Sequence, residues 1–297
     1  MAIISENAFI KRETIFGERE IAAYQTDDFG NIPQIVYKYL DLSLSTHRAS
    51  VEKTYAWFAD PLNFNDPYDC TTSFAFHLLA ENEGLCRGFF EAKLKNQYSG
   101  ITASELEFEV NKNVQFMVSK KGDYEFFKQM DRDAPDRKKM LSEFGIFCTC
   151  MINDNILLWS HYSNKHTGIC LGLNAYALLS SFEDRGSGEV KYQDFPLIPP
   201  PEDDNDQAIL DTFQPIFFNK AKFWNYELEY RFLQYPCKKR DISISNAIES
   251  IYFGINTPYD DEKFIIDLCK VLNKGIKLFK AEPAFFKYEL EFIAVDY

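Results

Sequence analysis

The stretch from Trp159 to Asn174 reads Trp-Ser-His-Tyr-Ser-Asn-Lys-His-Thr-Gly-Ile-Cys-Leu-Gly-Leu-Asn. A helix cap at Asn153 or Asp154 is expected before it, because these side chains accept hydrogen bonds from the free amides of a first helical turn. The helix is expected to be short, since a polar turn follows and ends at Gly168. The run Ile169 to Leu173 then predicts a strand. We therefore expect a helix, a polar turn and a buried strand in succession.

Two other stretches combine aromatic and polar residues in the same manner. Residues 57–70 read Trp-Phe-Ala-Asp-Pro-Leu-Asn-Phe-Asn-Asp-Pro-Tyr-Asp-Cys, and residues 222–233 read Lys-Phe-Trp-Asn-Tyr-Glu-Leu-Glu-Tyr-Arg-Phe-Leu. Each of the three stretches holds one of the chain's three tryptophans, and the first also holds His161, expected at the helix end, and His166, expected in the turn. Binding residues often lie on loops that a rigid scaffold positions. We expect the three stretches to build one site.

Composition limits the partners that the chain can bind. A formal net charge of -13 opposes binding along nucleic-acid backbones, which depends on Lys and Arg neutralising phosphates. The first residues lack the basic and apolar segments of a signal peptide, and no apolar run reaches the ~20 residues that span a bilayer. Seven scattered cysteines fit reduced thiols. We expect a cytoplasmic protein that binds neither extended nucleic acid nor a membrane.

The order of the elements predicts an α+β fold. Strand patterns occur at residues 35–40, 55–58, 146–150, 169–173, 189–192, 226–233, 248–253, 276–280 and 286–294. Helical patterns occur at residues 45–53, 207–219 and 260–272 and throughout residues 74–144, where Ser104 to Glu107 reads as a capping box. Strands in both halves with helices grouped between them indicate a mixed or antiparallel sheet with a helical insertion at about 74–144. We expect an N-terminal arm at 1–34 and a single α+β domain at 35–297.

Two prolines restrain the loop that follows the second predicted strand. Pro61 and Pro67 fix their own φ angles and push the preceding residues out of the helical region, so the backbone itself holds this loop. Asn65 and Asp66 lie between them and have two interpretations. They bond their own backbone as turn residues, or they present polar groups to a ligand. A later loop with acidic residues 202–206 is expected to be solvated and mobile.

Residues 226–233 alternate with period two. This period predicts that Glu227, Glu229 and Arg231 share one face of a strand. Such a row is either a solvated surface or the wall of a polar cleft. In a cleft, the Arg231 guanidinium would hold an acid in bidentate fashion, and we expect it to support the site structurally rather than to react.

Several motifs follow one another in order, namely Val36-Tyr-Lys-Tyr-Leu40, Phe64-Asn-Asp-Pro67, Leu158-Trp-Ser-His-Tyr162 with Gly168-Ile-Cys-Leu-Gly172, and Trp224-Asn-Tyr-Glu-Leu-Glu-Tyr-Arg231. In these motifs, from about Tyr37 to Phe253, the chain resembles a bacterial family known as domain of unknown function 2971 (DUF2971). That family supplies no established reaction. Some members of such families occur near phage-defence genes, which implies a defence role.

A more distant resemblance is to ADP-ribosyltransferases, which cleave the nicotinamide–ribose bond of NAD. Those proteins carry Glu-x-Glu on a strand, and Glu227-Leu-Glu229 is similar to that pattern. The resemblance implies that Glu229 is the catalytic acid, which stabilises an oxocarbenium-like transition state, and that Glu227 serves the acceptor. An early strand in that superfamily supplies an Arg or His, whereas the early strand here offers Tyr37 and Lys38. The usual Ser-Thr-Ser is at best imitated by Thr71-Thr-Ser73.

Two alternatives stay open. A hydrolase would use His161 and His166 as an acid/base pair or as metal ligands, although their spacing of five differs from that of a helical His-Glu-x-x-His site. A binding or regulatory module would instead recognise a nucleotide or peptide through its aromatic rings and perform no chemistry. Assays of NAD hydrolysis and of metal content separate these alternatives.

The candidate site therefore has a catalytic and a binding part. The candidate catalytic residues are Glu229, Glu227 and His161. The candidate binding residues are Tyr37, Lys38, Asn65, Asp66, Trp159, Tyr162, His166, Trp224 and Arg231. No metal ligand is assigned, NAD is the candidate substrate, and the acceptor is left open between protein and nucleic acid.

Overall fold

The computed structural model describes residues 3–14, 17–26, 30–70, 75–133, 137–182, 186–194 and 216–297. The chain forms two compact units. The first comprises Met1–Asp60, Glu143–Val190 and Phe223–Tyr297, and the second comprises Pro61–Ser142 and Lys191–Lys222. The predicted acidic loop, the Thr71-Thr-Ser73 motif and most of the predicted helix at 207–219 lie outside the described residues.

The strands are β1 (Ile3–Thr14), β2 (Gly17–Thr26), β3 (Gly30–Pro33), β4 (Ile35–Leu40), β5 (Tyr55–Trp57), β6 (Gly145–Cys150), β7 (Ile169–Asn174), β8 (Gly186–Glu189), β9 (Lys191–Gln193), β10 (Asn219–Ala221), β11 (Glu229–Gln234), β12 (Asp241–Ser243), β13 (Ile248–Phe253), β14 (Lys277–Pro283) and β15 (Leu290–Val295). The helices are α1 (Ser45–Glu52), α2 (His77–Glu81), α3 (Glu83–Gln97), α4 (Ala103–Ser119), α5 (Tyr124–Asp133), α6 (Arg137–Ser142), α7 (Ile156–Tyr162), α8 (Ala175–Ser181) and α9 (Tyr259–Leu272), with 3₁₀ turns at Pro61–Asn63 and Lys222–Glu227.

A mixed sheet of eight described strands forms the centre of the first unit. Its order is β15-β14-β13-β7-β4-β6-β11-β8. The β13–β14 pair is parallel and is joined in sequence through α9, whereas the neighbouring pairs are antiparallel. A parallel pair needs a long crossover, and a helix commonly provides it. The predicted α+β class with a mixed sheet is confirmed.

Apolar side chains cover both faces of this sheet. Successive residues of a strand point to opposite faces, and every side chain of β11 is buried. One face packs into a large cluster that includes Val36, Leu171, Phe232 and Phe253. The other face packs under α7, in a cluster formed by Tyr39, Cys150, Leu158, Trp159 and Cys170. The second face carries the candidate site.

The second unit contains the predicted helical insertion, which is confirmed by α2 to α6. The buried side of α4 has the predicted spacing, with Val110, Val114 and Met117 inside. The predicted capping box is wrong by two residues. Thr102 caps α4, and its side chain and that of Glu105 each bond the other's backbone amide. Both candidates contain Ser or Thr three residues before Glu, so the pattern alone did not distinguish them.

Residues before β4 form a three-stranded antiparallel sheet of β1, β2 and β3. Ile10, Ile21 and Ile32 from these strands belong to the large apolar cluster of the first unit. The predicted domain boundary after residue 34 stays a prediction. Within the described residues, no helix has both the length and the hydropathy needed to cross a membrane.

Several predicted strand limits differ from the observed ones. The strand predicted at 226–233 begins only at Glu229, because Leu228 has a left-handed φ of 43° and a 3₁₀ turn precedes it. The strand predicted at 189–192 is divided between β8 and β9. The strand predicted at 286–294 begins only at Leu290. Alternating side chains fit a strand at each place, but local backbone turns interrupt the extended conformation.

Candidate functional site

Glu229 and Arg231 form a buried ion pair at the start of β11. Arg231 donates from Nε to Glu229 Oε2 at 2.7 Å and from Nη2 to Glu229 Oε1 at 3.1 Å. Arg231 has 0% exposed surface and Glu229 has 6%. The pair is possible because residues two apart on a strand share a face, as the alternation predicted. Both carboxylate oxygens are therefore held by one planar guanidinium, which fixes the orientation of the acid.

The strand register extends this site across the sheet. Glu229 lies opposite Cys150 of β6, and Cys150 lies opposite Tyr37 of β4, so the three side chains share one face. Burial raises the pKa of the Cys150 thiol and that of the Tyr37 hydroxyl well above their ordinary values. The ring of Tyr37 also contacts Tyr252 edge-on, with 6.0 Å between ring centroids. Cys150 and Tyr37 therefore carry their protons, and Cys150 is the one of the two that lies opposite Glu229.

Lys38 lies on the opposite face of β4 from its neighbour Tyr37. Because alternate residues of a strand face opposite sides, Lys38 projects from the face opposite to that of Tyr37 and Glu229. Its Nζ donates to the carbonyl of Cys148 at 2.8 Å and lies 5.3 Å from the centroid of the Phe147 ring. The structure therefore does not bring Lys38 to the carboxylate face.

The second acid, Glu227, is buried by a turn and not by the strand. The left-handed Leu228 separates the 3₁₀ turn that contains Glu227 from the strand that contains Glu229. Glu227 has 2% exposed surface, and its Oε1 accepts a hydrogen bond from the Tyr162 hydroxyl at 2.7 Å. Tyr162 is the last residue of α7. The expectation that Glu227 lies on the strand is wrong, although the acid is close to the end of the same helix that the sequence analysis singled out.

Asn155 ties the start of α7 to this turn. Its side-chain oxygen accepts hydrogen bonds from the amides of Leu157 and Leu158 at 2.9 and 3.3 Å, so Asn155 is the helix cap rather than Asn153 or Asp154. The Asn155 side-chain nitrogen donates to the carbonyl of Tyr226. Sequence reasoning missed this residue, although an Asn directly before an apolar helical run is the signal for a cap.

Four aromatic rings, two of them in the 3₁₀ turn that contains Glu227, form a ring cluster. Centroid separations are 6.0 Å between Trp224 and Tyr226, 6.1 Å between Tyr226 and His161, and 6.5 Å between His161 and Tyr162. The Tyr226 hydroxyl lies 3.4 Å from His161 Nδ1. His161 is exposed, whereas Trp224, Tyr226 and Tyr162 are half-buried. The ring cluster thus extends from the exposed His161 to Tyr162, whose hydroxyl bonds the buried Glu227.

The polar turn after α7 has an unusual backbone. Asn164, Lys165 and His166 have φ values of 46°, 57° and 67°, all in the left-handed region. Residues other than glycine adopt this conformation at some energetic cost. Here the amide of His166 donates to the carbonyl of Trp159 at 3.1 Å, so the turn closes the end of the helix. The turn is therefore a helix termination that holds His166 against α7.

The two histidines of the opening stretch have different neighbours. The His166 ring stacks on Trp159 with an angle of 9° and 6.1 Å between centroids. Its Nε2 lies 3.4 Å from the Ser160 hydroxyl, whereas its Nδ1 is buried without a hydrogen-bond partner. Burial lowers the pKa of His166. His166 therefore packs beside Trp159, and His161 belongs to the ring cluster.

Trp159 is a core residue. Its side chain is fully buried, its Nε1 donates to the carbonyl of Asn153 at 2.7 Å, and its ring meets Tyr39 edge-on at 5.2 Å. An indole whose polar atom is satisfied inside the protein offers no surface to a ligand. The structure therefore places Trp159 under the site as support.

Asn65 and Asp66 belong to the second unit. Asn65 is exposed, whereas Asp66 is buried and accepts a hydrogen bond at Oδ1 from the Tyr68 amide at 2.9 Å. The Asp66 carbonyl accepts from the Asp69 amide at 3.1 Å, so this aspartate is a turn residue that bonds its own backbone. The other oxygen, Asp66 Oδ2, is buried without a hydrogen-bond partner. Close by in sequence, Asp69 pairs with the buried Lys220 at 3.5 Å.

Metal ligation by His161 and His166 is one of the alternatives that the sequence leaves open. In the part of the chain that the structure describes, no group of three or more His, Cys, Asp or Glu side chains is placed to hold a metal ion.

The carboxylates, the ring cluster and the turn lie within one continuous segment. Residues 158–232 match the family model described as Protein of unknown function (DUF2971). This match confirms the DUF2971 resemblance over those residues, a shorter range than the motifs suggested. The DUF2971 segment begins in α7, includes the left-handed turn and β7, and ends in β11 after Arg231. No curated protein and no solved structure gave a significant match.

Proposed function

We propose that this protein is an enzyme, similar to ADP-ribosyltransferases, that cleaves the nicotinamide–ribose bond of NAD beside the carboxylates of Glu227 and Glu229. One observation carries the proposal. Two buried acids stand two residues apart, and each is held by its own donor, Glu227 by Tyr162 and Glu229 by Arg231. Charges that are fixed before the reaction stabilise a developing opposite charge without reorganisation.

Cleavage of the nicotinamide–ribose bond requires a fixed negative charge close to the ribose. When the bond between nicotinamide and ribose breaks, its electron pair leaves with nicotinamide, which departs as a neutral molecule. Positive charge develops on the ribose ring, as it does in glycoside cleavage, and a nearby carboxylate stabilises it. Glu229 would supply this carboxylate, with Arg231 as its positioning residue, and Glu227 would act on the acceptor or on water. The acceptor then forms the new bond to the ribose.

The ring cluster supports the choice of NAD. The nicotinamide ring of NAD is planar and carries a positive charge before cleavage. Planar cations are attracted to the faces of tryptophan and tyrosine rings, and Trp224 and Tyr226 are half-buried in the turn that contains Glu227. The attraction is lost when nicotinamide becomes neutral, which favours its release.

A non-catalytic nucleotide-binding module is the second candidate, and a specific observation favours it. Arg231 engages both oxygens of Glu229, so the guanidinium offsets part of the charge that a ribosyl cation would require. In a binding module the Glu229–Arg231 ion pair would only stabilise the fold. The ring cluster and Glu227 would bind a nucleotide, and no bond would be cleaved. Binding of NAD without release of nicotinamide identifies this candidate.

The test is incubation of purified protein with NAD, followed by chromatographic measurement of free nicotinamide. Glu229→Gln keeps the shape of the side chain and removes its charge, so turnover should fall by about 100-fold or more while NAD still binds. Glu227→Gln should reduce cleavage less. Glu107→Gln, at an exposed position of α4, is the matched control and should behave as wild type. Equal nicotinamide release by Glu229→Gln and wild type would reject Glu229 as the catalytic acid.

A role in defence against phage is part of the same proposal. An enzyme that consumes NAD would deprive an infected cell of a cofactor that phage replication needs. Cells that express the wild-type protein should then give fewer plaques than cells that express Glu229→Gln. Equal plaque numbers at equal protein levels would remove the defence role and leave the enzymatic proposal to the nicotinamide assay.

A further inference from the structure

The helix α7 is anchored to the sheet through its buried side. Leu158 and Trp159 are 3% and 0% exposed, and the Trp159 ring meets Tyr39 of β4 edge-on with 5.2 Å between centroids. The Trp159 amide donates to the Asn155 carbonyl at 3.0 Å, so a helical hydrogen bond links this anchor to the residue that caps the helix. The position of Asn155 is therefore fixed relative to the sheet.

The 3₁₀ turn Lys222–Glu227 has weak internal hydrogen bonding. The bond that closes it, from the Leu228 amide to the Asn225 carbonyl, is 3.4 Å long, which exceeds the usual range. Hydrogen bonds in 3₁₀ turns also have poorer geometry than those in α-helices. The turn reaches into solvent as well, since Phe223 is 92% exposed. The position of Glu227 therefore depends on contacts between this turn and neighbouring elements.

The two ends of α7 bond consecutive residues of this turn. At the start, Asn155 Nδ2 donates to the Tyr226 carbonyl. At the end, the Tyr162 hydroxyl donates to Glu227 Oε1 at 2.7 Å. Positions 155 and 162 are about 10 Å apart along a helix axis, so the two donors do not touch each other. One anchored helix thus holds a backbone carbonyl and the adjoining carboxylate at two separate points.

We propose that Asn155 is a positioning residue for Glu227 and acts through the backbone of Tyr226. Its two polar atoms have separate partners. Oδ1 accepts from the amides of Leu157 and Leu158 and caps the helix, whereas Nδ2 holds the turn. A cap alone needs only the acceptor, which serine or aspartate also provides. Asparagine carries an acceptor and a donor on different atoms, so it reaches the helix and the turn at once.

The consequence for the reaction rests on the proposed function, in which Glu227 acts on the acceptor or on water. A reacting group that is misplaced by about 1 Å can lose up to about 100-fold in rate. Asn155 is 1% exposed, so it acts on the reaction through Glu227 and not by touching the substrate. Loss of its side-chain amide should therefore slow nicotinamide release when Glu227 is present and have no further effect when Glu227 is already glutamine.

A double-mutant cycle in urea denaturation tests the positioning role without any substrate. Asn155→Ser keeps the helix cap and removes the donor to the turn, and Tyr162→Phe removes the donor to Glu227. Substitutions about 10 Å apart without a shared partner give additive losses of stability. If both donors hold the same turn, Tyr162→Phe should destabilise the Asn155→Ser chain by about half as much as it destabilises wild type, or less.

The matched control is the same substitution at another helix cap. Asn82 caps α3 by accepting from the Leu85 amide at 3.0 Å, so Asn82→Ser should combine additively with Tyr162→Phe. A second variant, Asn155→Asp, keeps the size of the side chain and the cap but replaces the donor with an oxygen. It should reduce the effect of Tyr162→Phe as Asn155→Ser does. Additive losses for both Asn155 variants would overturn the positioning role.

Nicotinamide release from NAD separates this inference from the proposed function. In an active enzyme, Asn155→Ser should release nicotinamide more slowly than wild type, and its combination with Glu227→Gln should match Glu227→Gln alone. Release by Asn155→Ser at the wild-type rate would overturn the positioning role. A wild-type chain that releases no nicotinamide rejects the proposed function, and the urea denaturation cycle then decides the positioning role by itself.

Discussion

Glu227 and Glu229 are buried together but are held by different kinds of donor. Glu229 faces a guanidinium that carries a full charge, whereas Glu227 accepts a hydrogen bond from a neutral phenol. A charged partner offsets the cost of burying a carboxylate more fully than a neutral one does. Glu229 is therefore expected to be the more rigidly positioned of the two acids.

Arg231→Lys tests the positioning role. A lysine supplies one point charge and cannot bond both oxygens of Glu229 in a plane. We expect the free energy of unfolding to fall by about 1–3 kcal/mol, the range for a hydrogen bond to a buried charged group. Urea denaturation measures this change, with Arg87→Lys in α3 as control. Complete loss of NAD binding in a folded Arg231→Lys variant would mean instead that Arg231 holds the ligand.

Tyr162→Phe tests the donor of Glu227. The substitution keeps the ring in the cluster and removes the hydroxyl that lies 2.7 Å from Glu227 Oε1. We expect a loss of about 1–3 kcal/mol in unfolding free energy, because a buried carboxylate oxygen loses that donor. Tyr288→Phe, at a 91% exposed position, should show no change. Equal stability of both variants would show that the Tyr162 hydroxyl does not stabilise Glu227.

His166 gives the stability a dependence on pH. Burial lowers its pKa in the folded chain below the ordinary value of 6.5, so near that pH the unfolded chain binds more protons than the folded one. The contribution of His166 is fully present above pH 6.5 and is lost as the pH falls. We expect His166→Gln to weaken the decrease in stability between about pH 7.5 and 5. An unchanged pH profile in urea denaturation would contradict this assignment.

At the scale of elements, the helix α7, the left-handed turn at residues 164–166 and the strand β7 form one continuous structural motif. The turn closes α7 and brings β7 close to β4, and Gly168 stands at that approach. A Cβ at Gly168 would lie 2.0 Å from the carbonyl oxygen of Leu40, a backbone atom that cannot move aside alone. A small residue is therefore required where the turn meets the strand.

Gly168→Ala is expected to destabilise the protein by several kcal/mol or to prevent folding, since the added carbon meets backbone. Gly88→Ala is the matched control. Its added carbon meets nothing within 4 Å in α3, and alanine favours a helix by about 0.5–1 kcal/mol over glycine, so stability should rise. Thermal unfolding of both variants measures the two effects. Similar midpoints for the two variants would contradict the close approach at Gly168.

The sequence predicted the order of helix, turn and strand because apolar periodicity and turn residues are local signals. It also predicted that Glu229 and Arg231 share a face, since alternation along a strand is geometric. It did not predict the position of Glu227, because no local pattern records the left-handed φ of Leu228, which interrupts the extended backbone. Alternation puts Tyr37 and Lys38 on opposite faces, but which of them shares a face with Glu229 depends on the pairing of β4, β6 and β11, which the sequence did not predict.

At the scale of the whole molecule, the sheet order explains why the site could not be read from spacing alone. Tyr37, Cys150 and Glu229 are far apart in sequence and become neighbours only because β4, β6 and β11 are adjacent. The net charge of -13 adds a general constraint, since it opposes anionic partners except where the local charge is positive. NAD carries phosphates, so its binding is expected to strengthen as added salt screens this repulsion.

The central claim is that Glu229 acts on a ribosyl cation formed from NAD. Its most direct test is the rate of nicotinamide release by purified wild-type protein and by Glu229→Gln, measured together with NAD affinity by calorimetry. The expected result is measurable release by wild type and a decrease of about 100-fold or more in Glu229→Gln, with similar affinity for NAD. Binding of NAD by both proteins with no nicotinamide released by either would contradict the claim and favour a binding module.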